Sequence, residues 1–274
     1  MLYSKCFYGD PQNGTCATEK LQEMSIDKDN CILNTFRTST VPLMEYWNEK
    51  HHLALFKELE SLPLGISKEK WNSMIKVFEF SVFPPKGKEK ASVTDLMLSA
   101  DDIQIAVEAQ FTEMLDCQYQ TVSQWLKEGS YANRLAVLDG WCDLLNPFLD
   151  TTISATSSFI ENMPYQLLHR AASACMDRPK QAVLWYQLFC EKGVLSREDV
   201  RVYEHEIVRS VENIHFSEHF NVLITLNTVR YATDIVAYFS REDASAKLNQ
   251  LFARMLSAYP IITDFGDIEV LYFE

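Results

Sequence analysis

Apolar positions recur along this chain in two periods. Over residues 41–62, Leu43, Trp47, Leu53, Leu55, Phe56 and Leu59 fall mostly at helical spacings, which predicts a helix with one buried face, stopped by Pro63 and Gly65. Residues 74–83, 92–99 and 103–111 are instead rich in Val, Ile and Phe or alternate in polarity, and predict three strands. Pro84-Pro85-Lys86-Gly87 and Ala100-Asp101-Asp102 supply the turns between them, giving a meander.

The period then returns to that of helices over 113–127 and 132–145, with a Ser/Thr-rich connection over 151–158. Pro164 opens a further helix to about Met176, with Leu167, Leu168, Ala171 and Ala174 facing inward. Residues 182–190 are apolar except for Gln187 and have strand length, the mark of a strand buried on both faces, so Trp185, Tyr186 and Phe189 read as core. Ser196, with Asp199 three residues on, predicts a capped helix to about Val211. A buried strand over 220–227 and a long helix over 244–258 complete the pattern. Residues 1–40 show no clear period and read as irregular, with a short helix near 18–24. There is no internal repeat. The expected organisation is one α/β domain over 41–274, with a core at about 74–190, a helical insertion at about 114–162 and a helical C-terminal part.

With 274 residues, 47% of them hydrophobic, the chain has the apolar surface for a substantial core. Its longest apolar stretches fall well short of the roughly 20 residues that span a bilayer, and residues 1–10 lack the apolar run of a secretory signal. No membrane association and a cytoplasmic location are therefore expected. Seven scattered cysteines without a C-x-x-C pair suit reduced thiols better than zinc or a disulfide framework. His51-His52 and the set His205, His215 and His219 lack metal-site spacing and read as surface histidines. The net charge of −13 opposes sequence-independent binding of a polyanion. Yet residues 64–90 hold six lysines against three acids, leaving room for a local basic lip at Lys86, Lys88 and Lys90. Glycine-rich nucleotide loops and the G-x-S-x-G elbow are absent.

Candidate chemistry lies in Ser92-Val93-Thr94-Asp95-Leu96-Met97-Leu98 and in the strand Ile103-Gln104-Ile105-Ala106-Val107-Glu108-Ala109-Gln110-Phe111. Antiparallel pairing across the short turn brings Asp95 and Glu108 within reach of each other, and alternation places Ala106, Glu108 and Gln110 on one face. Two carboxylates facing each other inside apolar strands call for a shared counter-charge. A divalent cation supplies one, and hard oxygen ligands suit Mg²⁺ or Mn²⁺.

The order strand, Asp, short turn, strand with Glu-x-Gln resembles the PD-(D/E)xK, or restriction-endonuclease-like, nuclease superfamily. Val107-Glu108-Ala109-Gln110-Phe111-Thr112-Glu113 is similar to its hydrophobic-Glu-x-Lys-aromatic-Thr-Glu variant. The resemblance implies a restriction-endonuclease-like α/β core, with a mixed sheet of about five strands flanked by helices. It implies Asp95, Glu108 and the Ala109 carbonyl as metal ligands, and Asp95, Glu108 and Gln110 as the catalytic positions. Gln110 stands where the family has lysine, so it can hydrogen-bond a water but brings no positive charge. Pro164-Tyr165-Gln166-Leu167-Leu168-His169-Arg170 is similar to the family's next core helix, from which Gln166 or Arg170 reaches the site; Glu79 is an accessory acid. The implied activity is metal-dependent hydrolysis of DNA, in restriction, defence or mobile-element processing, with a protein partner or a homodimer helping to bring DNA to an acidic body. A catalytically inactive scaffold of the same fold stays open as the alternative.

Overall fold

The computed structural model describes residues 6–8, 15–16, 39–47, 55–111, 120–233 and 262–274. They form a mixed α/β structure in which helices cover both faces of one mixed sheet. The elements are β1 (Cys6–Tyr8), β2 (Thr15–Cys16), α1 (Thr40–Tyr46), α2 (Leu55–Glu60), α3 (Lys68–Ser73), β3 (Ile75–Val82), β4 (Ser92–Ala100), β5 (Ile103–Gln110), α4 (Val122–Leu126), α5 (Tyr131–Leu145), α6 (Tyr165–Ala174), β6 (Gln181–Glu191), α7 (Arg197–Val211), β7 (Phe220–Tyr231), β8 (Ile262–Phe265) and β9 (Glu269–Phe273). Short 3₁₀ turns occupy Asn146–Phe148 and Ser158–Ile160.

The expected meander is present. β3 pairs antiparallel with β4 and β4 with β5, then β5, β6 and β7 run parallel through the centre of the sheet. A parallel return to the sheet requires a crossover, and residues between β5 and β6 supply it, including α5 and α6. The central strands are buried on both faces, β5 along all but its last residue and β6 along its whole middle.

The sheet is larger than the five strands expected. Seven strands, β3 to β9, are joined by β1 and β2 at one edge, β1 lying parallel to β3. Residues 1–40 are thus not wholly irregular: two short pieces borrow their pairing from the sheet, with no periodic pattern of their own. The last residues depart from a helical C-terminal part in the same way, since β8 and β9 both pair antiparallel with β7. Of the helix expected over 113–127, residues 113–119 lie outside the described residues, and α4 covers Val122–Leu126, where Thr121 and Gln124 form a capping box. The Ser196–Asp199 capping box is as expected: Asp199 N–H donates to Ser196 Oγ at 3.2 Å and Ser196 N–H to Asp199 Oδ2 at 2.8 Å. Pro164 precedes the first residue of α6 rather than occupying it. The helices expected near 18–24 and over 244–258, residues 48–54 of the first helix, His51, His52 and Glu113 lie outside the described residues. No helix among the described residues is long and apolar enough to cross a membrane.

Side-chain alternation along β6 separates the two covering layers. Trp185 and Gln187 face α1, with Trp47 edge-on to Trp185 and its Nε1 donating to Gln187 Oε1 at 3.0 Å. Tyr186 faces the other way, toward Tyr203 of α7. Trp185 and Phe189 are fully buried core residues, as their setting predicted. His205, His215 and His219 are exposed, and Cys142, Cys175 and Cys190 are free thiols.

The loop from β3 to β4 is docked tightly on α5. A Cβ at Gly140 would stand 2.8 Å from Lys86 N and 3.2 Å from Pro85 Cδ, and one at Gly87 would stand 2.5 Å from Val137 Cγ2. Asn133 completes the docking, accepting from Lys88 N–H at 2.8 Å and donating to Lys88 O at 2.9 Å. Gly140→Ala is expected to push this loop off α5 and to cost about 1–3 kcal/mol, the usual penalty of overpacking. The check is the urea midpoint, and an unchanged one would mean that the loop lifts freely.

Candidate functional site

The register of the sheet sets one row of side chains. Phe78 lies opposite Leu96, and Leu96 opposite Val107, so the next position along aligns Glu79, Asp95 and Glu108 across β3, β4 and β5. Tyr186 of β6 continues the row. The β3–β4 ladder skips Glu79, whose φ of 52° is left-handed, a conformation that costs a non-glycine residue about 1–3 kcal/mol. The distortion sits directly beside Asp95. On the other side, β4–β5 pairing ends at Leu96 and Val107, and Ala109 N–H donates to Asp95 Oδ2 at 2.8 Å.

Helix α6 closes the site from above the sheet, and its spacing explains how. Residues four apart share a helix face, so Gln166 and Arg170 descend together on Glu108. Gln166 Nε2 donates to Glu108 Oε1 at 2.6 Å and Arg170 Nε to Oε2 at 2.5 Å. Arg170 Nη1 also donates to Ser92 Oγ at 2.8 Å. The hydroxyl of Ser92 lies 2.7 Å from His169 Nδ1. Ser92 thus links the Arg170 guanidinium to the His169 ring.

Electrostatics follow from this burial. Desolvation, reinforced by the charge of Glu108, pushes the Asp95 carboxyl well above the usual range, against the pull of Arg170 and of the Ala109 amide. Burial also raises Glu79, again opposed by Arg170. For Arg170, burial acts against the charge, but Glu108 and Asp95 more than offset it and hold the guanidinium protonated. His169 is driven well below its ordinary value by burial and then by Arg170, and is neutral.

The structure therefore brings together Asp95, Glu108, Glu79, Gln166 and Arg170. Gln110 follows Glu108 on the same strand face, half-buried at the end of β5, with no hydrogen bond on its amide among the described residues. Lys88 and Lys90 are exposed on the docked loop, while Lys86 is tied to Asp143 at 2.7 Å. The sequence reading supplied the counter-charge for the two carboxylates as a metal; in the structure Arg170 provides one from within the chain. Among the described residues, no group of three His, Cys, Asp or Glu side chains is placed to hold a metal ion. Mg²⁺ asks for less, typically one or two carboxylates with waters completing its shell. Asp95 fits that demand, because it is a largely desolvated carboxylate satisfied by a single backbone donor.

Two features escaped the sequence reading. Ser92 and His169 extend the Arg170 network, and a cavity of about 290 Å³ opens beside it, walled by Trp125, Trp141, Tyr165 and His169 and rimmed by Lys90. The signal was on α6 itself, where Tyr165 and His169 repeat the spacing of Gln166 and Arg170 one residue earlier. A second opening, of about 10 Å³, with room for about one water, lies against Glu79, Asp95 and the start of α1.

No curated protein and no solved structure matches the chain. A family model described as a domain of unknown function, DUF6946, matches residues 32–219, a span that runs from before α1 past α7 and contains every residue of this site. That span is well over half of the sequence, so the chain belongs to the DUF6946 family.

Proposed function

We propose that this chain is a divalent-metal-dependent phosphodiesterase that hydrolyses DNA, built on a restriction-endonuclease-like core. The observation that carries the reading is the Asp95–Glu108 pair on adjacent antiparallel strands, braced by Gln166 and Arg170 from the helix that follows. The element order around it supports the same core: a helix, a meander of three strands, a helix, then a strand parallel to the third.

Asp95 and Glu108, with the Ala109 carbonyl, would hold Mg²⁺ or Mn²⁺. Such an ion, when bound, supplies a Lewis acid for the phosphodiester and a water of lowered pKa. The remaining roles fall to the chain's own groups. Gln110 orients a water through its amide. Arg170, held protonated two turns into a buried helix, contributes the fixed positive charge that a lysine at position 110 would have brought. Gln166 fixes the Glu108 carboxylate, Glu79 is an accessory acid next to Asp95, and Lys88 and Lys90 meet the substrate backbone. With a net charge of −13 and so few free lysines at the lip, DNA is delivered by a protein partner or a second copy.

One observation favours the alternative of an inactive scaffold: both oxygens of Glu108 are already engaged by the chain's own donors. Calorimetric titration with Mg²⁺ and Mn²⁺, followed by incubation with supercoiled and linear DNA, separates the two. Metal binding and cleavage that are both lost in Asp95→Ala and in Glu108→Ala are the expected result. Folded protein that binds no metal at this site would overturn the phosphodiesterase and leave the scaffold.

A further inference from the structure

The cavity beside the carboxylates has features of a ligand site that a simple surface dent lacks. At about 290 Å³ it falls at the low end of small-molecule sites. One wall is an aromatic stack already assembled: Tyr165 lies on Trp125 with ring centroids 3.9 Å apart and planes 13° from parallel, and the Arg134 guanidinium sits 4.5 Å from the Trp125 centroid. Tyr165 takes one face of that indole, so Arg134 takes the other. The stack is pinned, since Arg134 Nη1 donates to Trp125 O and Trp141 Nε1 donates to Tyr165 Oη at 3.1 Å. Half-buried Tyr165 ends the stack and lines the cavity, with the His169 ring 4.9 Å away and tilted 67° to it.

Polar groups meet the same space. His169 brings an imidazole, Lys90 an ammonium and Glu89 a carboxylate, and Ser92 and Arg170 also line it. Ser92 and Arg170 also belong to the Glu108 network, so the cavity and the carboxylates share a wall. A flat ring with hydrogen-bonding edges matches this lining, and a phosphate attached to it would lie toward Glu108.

We propose that this cavity seats an unpaired nucleobase, which makes single-stranded or locally melted nucleic acid the substrate class of the site. The inference rests on the phosphodiesterase reading for what happens next to the base, but binding itself does not depend on it. Charge points the same way. A duplex presents dense phosphate to a protein of net charge −13 whose lip holds three exposed lysines, one of them already paired with Asp143. Stacking on aromatic rings gives affinity that does not depend on charge, and it is open only to bases outside a duplex.

Fluorescence anisotropy in EDTA, with a labelled single-stranded DNA, the same sequence as RNA and the matching DNA duplex, tests the proposal. Single strands are expected to bind about tenfold or more tighter than the duplex, and the DNA and RNA arms identify the sugar that the site takes. Ala91→Phe places a ring in the cavity from its half-buried rim and is expected to weaken single-strand binding about tenfold, the worth of one stacked base. Circular dichroism and the urea midpoint establish that this variant is folded; Lys90→Ala, at an exposed position, gives a second, milder loss. Equal affinity for duplex and single strand, or an Ala91→Phe protein that binds like the wild type, would overturn the proposal. The two readings fail separately: single-strand binding lost in Ala91→Phe without any cleavage in Mn²⁺ keeps the cavity and removes the phosphodiesterase. Cleavage that requires Asp95 but ignores strandedness does the reverse.

Discussion

Arg170→Met is expected to lower the free energy of unfolding by about 3–5 kcal/mol at pH 7, the cost of stripping one partner from a buried ion pair. Methionine fills most of the space of the arginine stem, so the loss is electrostatic: buried Glu108, next to Asp95, loses the guanidinium that faces it. Two consequences separate this cause from lost packing. Glu108→Gln added to Arg170→Met should recover most of the deficit, and the deficit of the single variant should shrink as the pH falls, because Asp95 and Glu79, no longer held down by Arg170, take up protons more readily. Urea denaturation of the two single variants and the double variant at pH 7 and pH 5 measures both. A double variant no more stable than Arg170→Met would show that the ion pair is not what holds α6 to the sheet.

Asp95→Asn should move stability and activity in opposite directions. The folded protein raises the Asp95 carboxyl above its unfolded value, through burial first and Glu108 second. Between the two values the folded state binds the extra proton, so the stability this group contributes is complete below the unfolded pKa and is lost as pH rises through the folded one. At neutral pH Asp95 is therefore a liability to the fold. Asparagine keeps the acceptor for Ala109 N–H and removes the charge. The variant should gain about 0.5–2 kcal/mol at pH 7, the range usual for relieving a strained functional site, and show a flatter stability profile across acid pH. Cleavage should fall by more than the roughly 10–100-fold that the loss of an outer-shell partner costs. Thermal unfolding beside a cleavage assay reads both signs. A variant that is less stable and still cleaves would mean that Asp95 serves structure and not chemistry.

The strands that carry the site were legible because each announces itself locally. Alternating apolar positions from Ile103 to Phe111 mark a strand, and β5 spans Ile103–Gln110, buried at all but its last residue. The Ser196–Asp199 cap and the interior strand 181–191 were legible for the same reason. What escaped the reading depends on partners distant in sequence. β1, β2, β8 and β9 are too short to carry a pattern and exist by pairing with β3 and β7. The hydrogen bond from Arg170 to Glu108 joins residues 62 apart, so spacing alone showed two carboxylates in want of a cation, and only the family resemblance brought Arg170 toward them. The aromatic wall has the same origin, since Trp125, Trp141 and Tyr165 lie on three different helices.

The interval between the carboxylates and their arginine also orders the assembly of the protein. The turn at Asp101–Asp102 lets β4 and β5 meet by local contacts, which form early because little chain entropy is lost in closing so short a loop. That hairpin draws Asp95 and Glu108 together with nothing yet to neutralise them. Relief comes only when α6, separated from β5 by 54 residues of intervening chain, folds back across the sheet. Docking of that helix is thus the step that makes the centre of the molecule electrostatically tolerable. A chain cut short before Arg170 thus keeps the carboxyl pair of the meander without the cation that the folded site sets against it.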